Sequence, residues 1–460
     1  MNDTRQLAVD FQSGAPRTGT LTWGQLAIWD VLQWLPPDDT SLTLSTLLPL
    51  PAGTTAATVA AALRALVERH DALRSLFRFD AAAGEPGQTL VTTGRLTVEV
   101  HDAPRGLAAD LAAKLRPELC GRPFDLASDL PVRALLVTEE GSPAALVLAI
   151  SHMSVDAWSF RVVLEDLEAL LAGAELPAPG QQPLDRLDYE TSDLGRRREE
   201  RARAYWTEQV RETPAAMLAE LPQPSAPHLG WGRIESTALA ESVRLLAQRA
   251  SVAGSLVVMA GAARLLARYT GEEQATLRLI VATRFTARTR RFVGAFNQNA
   301  LLRVPIGADS FDDYLRRTGL AALTAYQNCE YDPRAIEQIV IDTAAERGVT
   351  AGGYCFFNDI SFEPPRPADA DREPATGGDA PDPRALRADT VLSVPEMDQV
   401  PKGATFFLFL ERLGDRAVLQ LCADRRFLAP RSATDFLHDL EELTVAAAVS
   451  PPRPATLELP

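Results

Sequence analysis

The sequence has little cysteine and no long apolar segment. Its cysteines, Cys120, Cys329, Cys355 and Cys422, lie far apart in a chain of 460 residues. They show neither the close pairs of a zinc site nor the density of a secreted disulfide scaffold. We therefore expect ordinary buried thiols and no metal site.

The sequence also lacks an excess of positive charge, because 61 acidic residues stand against 46 basic ones and the net charge is −15. Nucleic-acid-binding proteins usually present a basic face, so this balance argues against a nucleic-acid partner. No stretch reaches the ~18 apolar residues of a membrane span, and the amino terminus has no basic segment followed by an apolar run. We expect a soluble, cytoplasmic protein that does not contact membranes.

In the first part of the chain, the spacing of apolar residues predicts alternating strands and helices. Residues 41–48 alternate as in a half-buried strand, and residues 59–67 carry the apolar stripe of a helix. The continuous apolar run 144–150 indicates a buried strand that ends at Ser151 and His152. A second amphipathic helix follows and ends near Leu171.

The second part repeats this order of elements. We predict one long helix over residues 242–269, a buried strand at 277–281, a strand pair at 405–410 and 417–422, and a final helix from Ser432. Such alternation favours mixed sheets covered by helices, an α/β or α+β class.

Segments rich in proline and glycine suggest where the domains divide. Residues 176–186 look like a connection, which places the amino-terminal lobe at 1–180 and the carboxy-terminal lobe at 181–460. Residues 363–388 have few apolar anchors, and we expect them to form a mobile loop.

The nine residues 151–159 read S-H-M-S-V-D-A-W-S. They resemble the H-H-x-x-x-D-G-W-S motif of the condensation domains of nonribosomal peptide synthetases. An H-x-x-x-D pattern alone is common, and by itself it indicates only a histidine beside a helix cap.

Further segments resemble the same family, in the same order along the chain. They are T-W-G-Q at 22–25 with Trp29, R-H-D-A-L-R-S-L-F at 69–77, D-Y at 188–189 with Y-W at 205–206, and V-G-A-F leading to L-R-V at 293–304. The chain therefore resembles a stand-alone condensation domain of the chloramphenicol-acetyltransferase-like superfamily. This resemblance implies two acyltransferase-like lobes in a V-shaped pseudo-dimer with a central tunnel.

The resemblance also implies a chemistry for antibiotic or other natural-product biosynthesis. His152 would act as the general base while an amine or alcohol attacks an acyl thioester, and near neutral pH an imidazole suits that task. The thioester would be carried on the phosphopantetheine of an acyl or peptidyl carrier protein acting in trans, or on coenzyme A. No bound cofactor is implied.

The remaining family positions have structural or tunnel-lining roles by the same resemblance. Asp156 would pair with Arg288 and fix the loop that aims His152, with Trp158 supporting it. The tunnel candidates are Trp23, Gln25, Gln298 and Asn299.

Two residues beside His152 depart from the family motif, since Ser151 replaces its first histidine and Ala157 replaces its glycine. If the glycine has a positive φ, alanine costs about 1 kcal/mol or moves the loop; otherwise its Cβ narrows the tunnel. A catalytically inactive docking platform for a carrier protein or tailoring enzyme is therefore the alternative function. Another acid–base reaction, such as cyclisation of a tethered intermediate, is a further one.

A serine nucleophile is the rival mechanism, because Ser151 and His152 are adjacent and Asp156 is near. Neighbours on a strand point to opposite faces, so Ser151 Oγ is not expected to reach the His152 ring. The sequence also lacks the G-x-S-x-G elbow of hydrolases.

Overall fold

The computed structural model describes residues 5–80, 84–222, 228–307, 310–361, 381–395 and 403–450. The chain forms two compact units. The first comprises 1–200, 282–298 and 330–334; the second comprises 201–281, 299–329 and 335–460. The first unit thus continues past the proline-rich connection at 176–186 and takes in two later segments.

The first unit contains a five-stranded mixed sheet, in the order β1-β6-β7-β8-β3, and a three-stranded sheet, in the order β2-β5-β4. Its strands are β1 Arg5–Gln12, β2 Thr18–Thr20, β3 Thr43–Pro49, β4 Ser75–Asp80, β5 Glu85–Leu90, β6 Thr93–Ala103, β7 Val132–Glu139 and β8 Ser142–Ser151. Its helices are α1 Trp23–Trp34, α2 Ala56–Arg69, α3 Ala108–Cys120, α4 Ala157–Leu171 and α5 Pro183–Glu190, and α6 Asp193–Arg211 begins here.

Strand β8 shows why a continuous apolar run forms an interior strand. It pairs with β7 on one side and β3 on the other, and residues 145–150 are at most 1% exposed. Leu146, Leu148 and Ile150 join the core beneath α2 and α4, whereas the alternate residues Ala145 and Val147 join the core beneath α3. Both faces of the strand are therefore buried, as the sequence predicted.

The second unit is built on a seven-stranded sheet in the order β11-β10-β12-β14-β15-β9-β13. Its strands are β9 Leu229–Ser236, β10 Gln274–Val281, β11 Gln298–Pro305, β12 Tyr354–Asp359, β13 Val391–Ser393, β14 Ala404–Leu413 and β15 Ala417–Asp424. Its helices are α7 Thr237–Ala250, α8 Gly254–Thr270, α9 Phe311–Tyr326, α10 Pro333–Glu346, α11 Pro383–Leu386, α12 Arg425–Leu428 and α13 Ala433–Val449.

The prediction of one long helix over residues 242–269 is wrong, because α7 and α8 are separate helices. Ser251 adopts a left-handed conformation (φ 55°), and its N–H closes α7 by donating to the carbonyls of Ala247 and Gln248. Apolar residues continue through the break, so periodicity alone gave no sign of it.

No single helix among the described residues is long and apolar enough to cross a membrane. Within the same described ranges, α7 and α8 taken together reach that length and composition, and they are bent by 103°.

Most of the predicted loop at 363–388 lies outside the described residues. The described part includes α11, where Asp382 caps the helix by accepting a hydrogen bond from the Arg384 N–H.

A buried charge network joins the end of α2 to α4 in the first unit. The Asp166 carboxylate, on α4, accepts from Arg69 Nε at 2.9 Å, His70 Nε2 at 2.9 Å and Arg291 Nη2 at 2.5 Å. Despite its burial, hydrogen bonds from His70 and Arg69 lower the pKa of Asp166 to about 2, and burial lowers the pKa of His70. A neutral His70 thus donates to an ionised Asp166 whose charge the two arginines balance.

Replacing Asp166 by alanine should lower the free energy of unfolding by about 3–5 kcal/mol, because the largely buried Arg69 loses its counter-charge and the buried His70 loses its hydrogen-bond partner. Urea unfolding followed by circular dichroism measures the change. Asp10→Ala removes an exposed partner of Arg95 and serves as the control, which should stay near wild type. Equal losses in the two variants would contradict this account.

Candidate functional site

His152 directly follows the last residue of β8 and is held there by the backbone. Its N–H donates to the Leu42 carbonyl at 2.8 Å, while the Ser151 N–H donates to the Pro131 carbonyl at 2.9 Å. The N–H groups of Ser154 and Val155 both donate to the Ser151 carbonyl and close a tight turn. The histidine is therefore fixed by ordinary main-chain bonds on both sides.

Two buried apolar side chains anchor this turn. Met153 is 0% exposed and packs in a small core with Leu21, Ile28 and Phe77, whereas Val155 is 0% exposed in the main core of the first unit. Because Met153 directly follows His152 and both anchors are fixed in packed cores, the backbone at His152 has little freedom to move.

The imidazole of His152 is half-buried, and its Nδ1 is enclosed without a hydrogen-bond partner of ordinary geometry among the described residues. Burial lowers the pKa of His152, and its own carbonyl, the Asp156 carboxylate and the Val155 carbonyl offset part of that effect. The lowered pKa favours the neutral imidazole near neutral pH.

Asp156 caps α4 and has both carboxylate oxygens engaged. Oδ1 accepts from the Ser159 N–H at 2.7 Å and Arg284 Nη2 at 2.9 Å, and Oδ2 accepts from Arg284 Nη1 at 2.8 Å and the Phe296 N–H at 3.1 Å. The side chains of Asp156 and Arg284 are 5% and 2% exposed. Four bonds at this depth make Asp156 a fixed structural anion.

The predicted pairing of Asp156 with Arg288 is wrong. Arg288 is exposed and makes no hydrogen bond or ion pair within the described part of the chain, whereas Arg284 forms the two-pronged bond. Arg284 comes three residues after β10 and its Nη1 also donates to the Ala282 carbonyl, so it stays close to the end of that strand. Arg288 lies farther along an exposed turn.

Ser159 completes this junction between α4 and residues 282–298. Its Oγ donates to the Gly294 carbonyl at 2.7 Å and accepts from the Gly294 N–H at 3.0 Å and Arg284 Nη2 at 2.5 Å. A Cβ on Gly294 would lie 2.5 Å from the Phe292 ring, so only glycine fits the V-G-A-F segment at this point.

The two departures from the family motif fit the backbone without strain. Ala157 is the first residue of α4 and has no positive φ, so the strain that depended on a positive φ does not arise. The other outcome, a Cβ that narrows the tunnel, stays a prediction. Ser151 is 6% exposed, and its Oγ accepts from the Met153 N–H at 3.3 Å. No hydrogen bond joins Ser151 to the His152 ring among the described residues, as the serine argument predicted.

Trp158 also ties α4 to residues 282–298. Its half-buried indole donates from Nε1 to the Arg290 carbonyl at 2.9 Å. The family's tryptophan position therefore carries a supporting contact in this chain.

Trp23 and Gln25 begin α1, where their polar groups are committed to structure. Gln25 is 1% exposed; its Oε1 accepts from the Thr22 N–H, and its amide pairs with that of Gln88 at 2.8 and 3.1 Å. The Trp23 N–H donates to Glu190 Oε2 at 2.9 Å. Their tunnel-lining role stays a prediction.

Glu190 and Arg186 form a second buried charge cluster, with Glu330. Arg186 donates to Glu190 at 2.8 Å and to Glu330 at 3.0 Å, and its guanidinium carbon lies 4.6 Å from the centre of the Phe296 ring. Burial raises the pKa of Glu190 to about 7. The cluster connects α1 and α5 to the segment that holds Asp156.

Gln298 and Asn299 lie in β11. Gln298 is 5% exposed and donates to the Tyr331 carbonyl at 3.3 Å, and Asn299 is half-buried. Their place in a tunnel stays a prediction.

Sequence reasoning missed Arg284, Ser159 and the cluster around Arg186. The sequence could have indicated Arg284, because this residue follows a buried strand almost directly and must therefore stay near the end of that strand. Arg186 and Glu190 had the i, i+4 spacing of a helical ion pair.

Among the described residues, one group has metal-ligand spacing: His438, Asp439 and Glu442 on α13. Arg387 bonds His438 and Glu442, and Tyr269 donates to Asp439, so the group is satisfied by protein partners.

The sequence model of the condensation domain matches residues 20–349. The chain belongs to the condensation domain family. It is 30% identical over 348 residues to the phosphinothricin tripeptide synthetase PhsC of Streptomyces viridochromogenes, a match that covers 72% of this chain and 31% of that synthetase. It is 28% identical over 276 residues to tyrocidine synthase 3 of Brevibacillus parabrevis, a match that covers 59% of this chain and 4% of that synthase. The chain thus spans less than a third of the length of these two relatives.

Solved structures show the fold of this condensation domain. The X-domain from teicoplanin biosynthesis superposes with a TM-score of 0.68 at 20% identity, covering 96% of this chain and 97% of that one. A condensation domain for chain release from the enacyloxin polyketide synthase gives 0.67 at 21% identity, covering 95% and 83%. The predicted fold class of mixed sheets covered by helices is therefore confirmed.

Arg284→Ala should lower the free energy of unfolding of the condensation domain by about 3–5 kcal/mol, because Asp156 stays buried with half its bonds. Arg288→Ala should change it by less than about 0.5 kcal/mol, since that side chain is exposed. Urea unfolding of both variants measures the difference. If the larger loss belongs to Arg288→Ala, the assignment to Arg284 is refuted.

Proposed function

We propose that this condensation domain is an acyltransferase that joins an acyl thioester to an amine or alcohol, with His152 as general base. The donor would be carried on the phosphopantetheine of a carrier protein or on coenzyme A. The observation that carries the proposal is a half-buried imidazole at the end of β8, with its backbone held by main-chain hydrogen bonds and its pKa lowered by burial. Family membership supplies the reaction class.

In the proposed reaction, Nε2 of His152 accepts the proton of the nucleophile as it attacks the thioester carbonyl. A C–N or C–O bond forms, the C–S bond breaks, and the departing thiolate recovers the proton. General base catalysis of this kind contributes about 10²–10⁴-fold in rate.

Asp156 is not proposed as a second base. Its oxygens already accept four hydrogen bonds and face a guanidinium, so a proton acceptor role would require breaking the ion pair. Its proposed role is to hold the start of α4 and, through it, the His152 turn.

His152→Ala should reduce product formation at least about 100-fold, because the reaction loses its base. Purified protein is incubated with acyl donors on a carrier protein and on coenzyme A, together with amine and alcohol pools, and products are identified by mass spectrometry. His438→Ala is the matched control and should keep wild-type activity, since it lies on α13 in the second unit.

The same experiment decides between enzyme and docking platform. Absence of product with every donor, combined with tight carrier binding that His152→Ala leaves unchanged, would replace the enzymatic proposal with the docking-platform function.

The acid limb of kcat/KM should have its midpoint below about 6.5, the ordinary histidine pKa. Burial disfavours the imidazolium and lowers the pKa of His152, so the base stays unprotonated to lower pH and activity is lost only below it. Initial rates between acidic and neutral pH, with the fold checked by circular dichroism, measure this midpoint. A midpoint above 6.5 would contradict the burial argument.

A further inference from the structure

A cavity lies wholly within the second unit and includes none of the residues of the proposed reaction. Its volume is about 660 Å³, within the ~300–1,000 Å³ typical of small-molecule sites. The cavity lies at the carboxyl ends of the parallel strands β10 and β12, where open α/β sheets commonly bind ligands. Leu279 and Phe357, which are partners in that ladder, form part of its floor.

Two helices form the walls. On α9, Arg316, Gly319, Leu320, Leu323 and Tyr326 follow one another at helical spacing and line the cavity on one face of the helix. From Arg316 to Tyr326 this face extends about 15 Å at 1.5 Å per residue. The cavity is therefore elongated along α9.

The opposite wall is the first part of α8. Leu256 and Met259 line the cavity, and a Cβ on Gly319 would lie 3.2 Å from Leu256 Cδ2. Gly319 thus lets Leu256 pack closely against α9 on this side of the cavity.

The apolar lining is exposed in a way that core packing does not explain. Leu320 and Leu323 are 69% and 54% exposed on a helix that already buries another face through Phe311, Leu315 and Ala325. Exposed leucines beside a cavity mark a surface that an apolar ligand would cover.

Charged groups lie at the two ends of this apolar face. Arg316 is at one end and pairs with Asp313 on its own helix, which leaves guanidinium donors for a ligand. Asp359 lines the cavity near Tyr326 at the other end and accepts from the Ser361 N–H at 3.1 Å and Oγ at 2.6 Å. An anionic group would be attracted to Arg316 and repelled by Asp359.

We propose that this cavity binds a fatty-acid-like amphiphile, with its carboxylate at Arg316 and its apolar chain along Gly319, Leu320 and Leu323. The site is separate from the His152 chemistry and does not rest on the proposed acyl transfer.

The test is fluorescence titration of the full chain with dansyl-labelled undecanoic acid, followed by displacement with dodecanoate. We expect saturable binding, weakened at least about tenfold by Gly319→Trp, which fills the cavity. Gly319→Ala is the matched control and should bind within about twofold of wild type, because the contacted Leu256 methyl can move. Arg316→Gln should weaken dodecanoate about tenfold and leave dodecanol unchanged, because only the acid uses the charge-assisted bond.

Leu323→Gln is a second variant that should weaken binding without unfolding the protein, since the side chain is exposed. His152→Ala should bind the probe like wild type, which separates this site from the proposed active site. Lack of saturable binding, or binding that neither Gly319→Trp nor Leu323→Gln changes, would overturn the proposal.

Discussion

The buried pair of Asp156 and Arg284 is the interaction on which the candidate site depends. Removing both charges from water costs several kcal/mol per ion, and only bonds of good geometry offset that cost. Here the carboxylate has four donors, and the guanidinium also bonds the Ala282 carbonyl and Ser159 Oγ. Because the two residues are 128 positions apart in sequence, the pair fixes the 282–298 segment against the start of α4.

The main contribution of this ion pair is to fix the orientation of the segments it joins, rather than to raise the free energy of unfolding above that of an apolar core. Apolar residues of similar volume stabilise a core as well as a buried ion pair does, but they do not fix direction. The Phe296 N–H donates to Asp156, and the Phe296 ring lies 4.6 and 5.3 Å from the guanidinium carbons of Arg186 and Arg284. The 282–298 segment therefore contacts both the Asp156–Arg284 pair and the Arg186 cluster. These contacts position the start of α4, which follows the His152 turn.

Much of the fold could be predicted from apolar spacing, because strands such as β8 and helices such as α4 bury contiguous or periodic faces. The break between α7 and α8 could not, since a serine in a left-handed conformation leaves no pattern in hydrophobicity. The sequence also predicted the wrong arginine, Arg288 instead of Arg284, as the partner of Asp156, for a related reason. Both arginines lie in an irregular segment, where sequence spacing does not fix direction, and only the packing of the segment onto α4 selects one of them.

The departures at Ser151 and Ala157 acquire a different meaning once the backbone is known. At the first position of α4, alanine stabilises the helix more than the glycine of the family motif would, because glycine loses more conformational freedom on folding. Ser151 accepts a hydrogen bond from within the turn that aims His152, a contact that a small hydroxyl makes without disturbing Met153. Neither substitution removes a bond that holds the histidine. The substituted motif therefore keeps the geometry of a base at the end of a strand, and its altered letters do not by themselves indicate an inactive site.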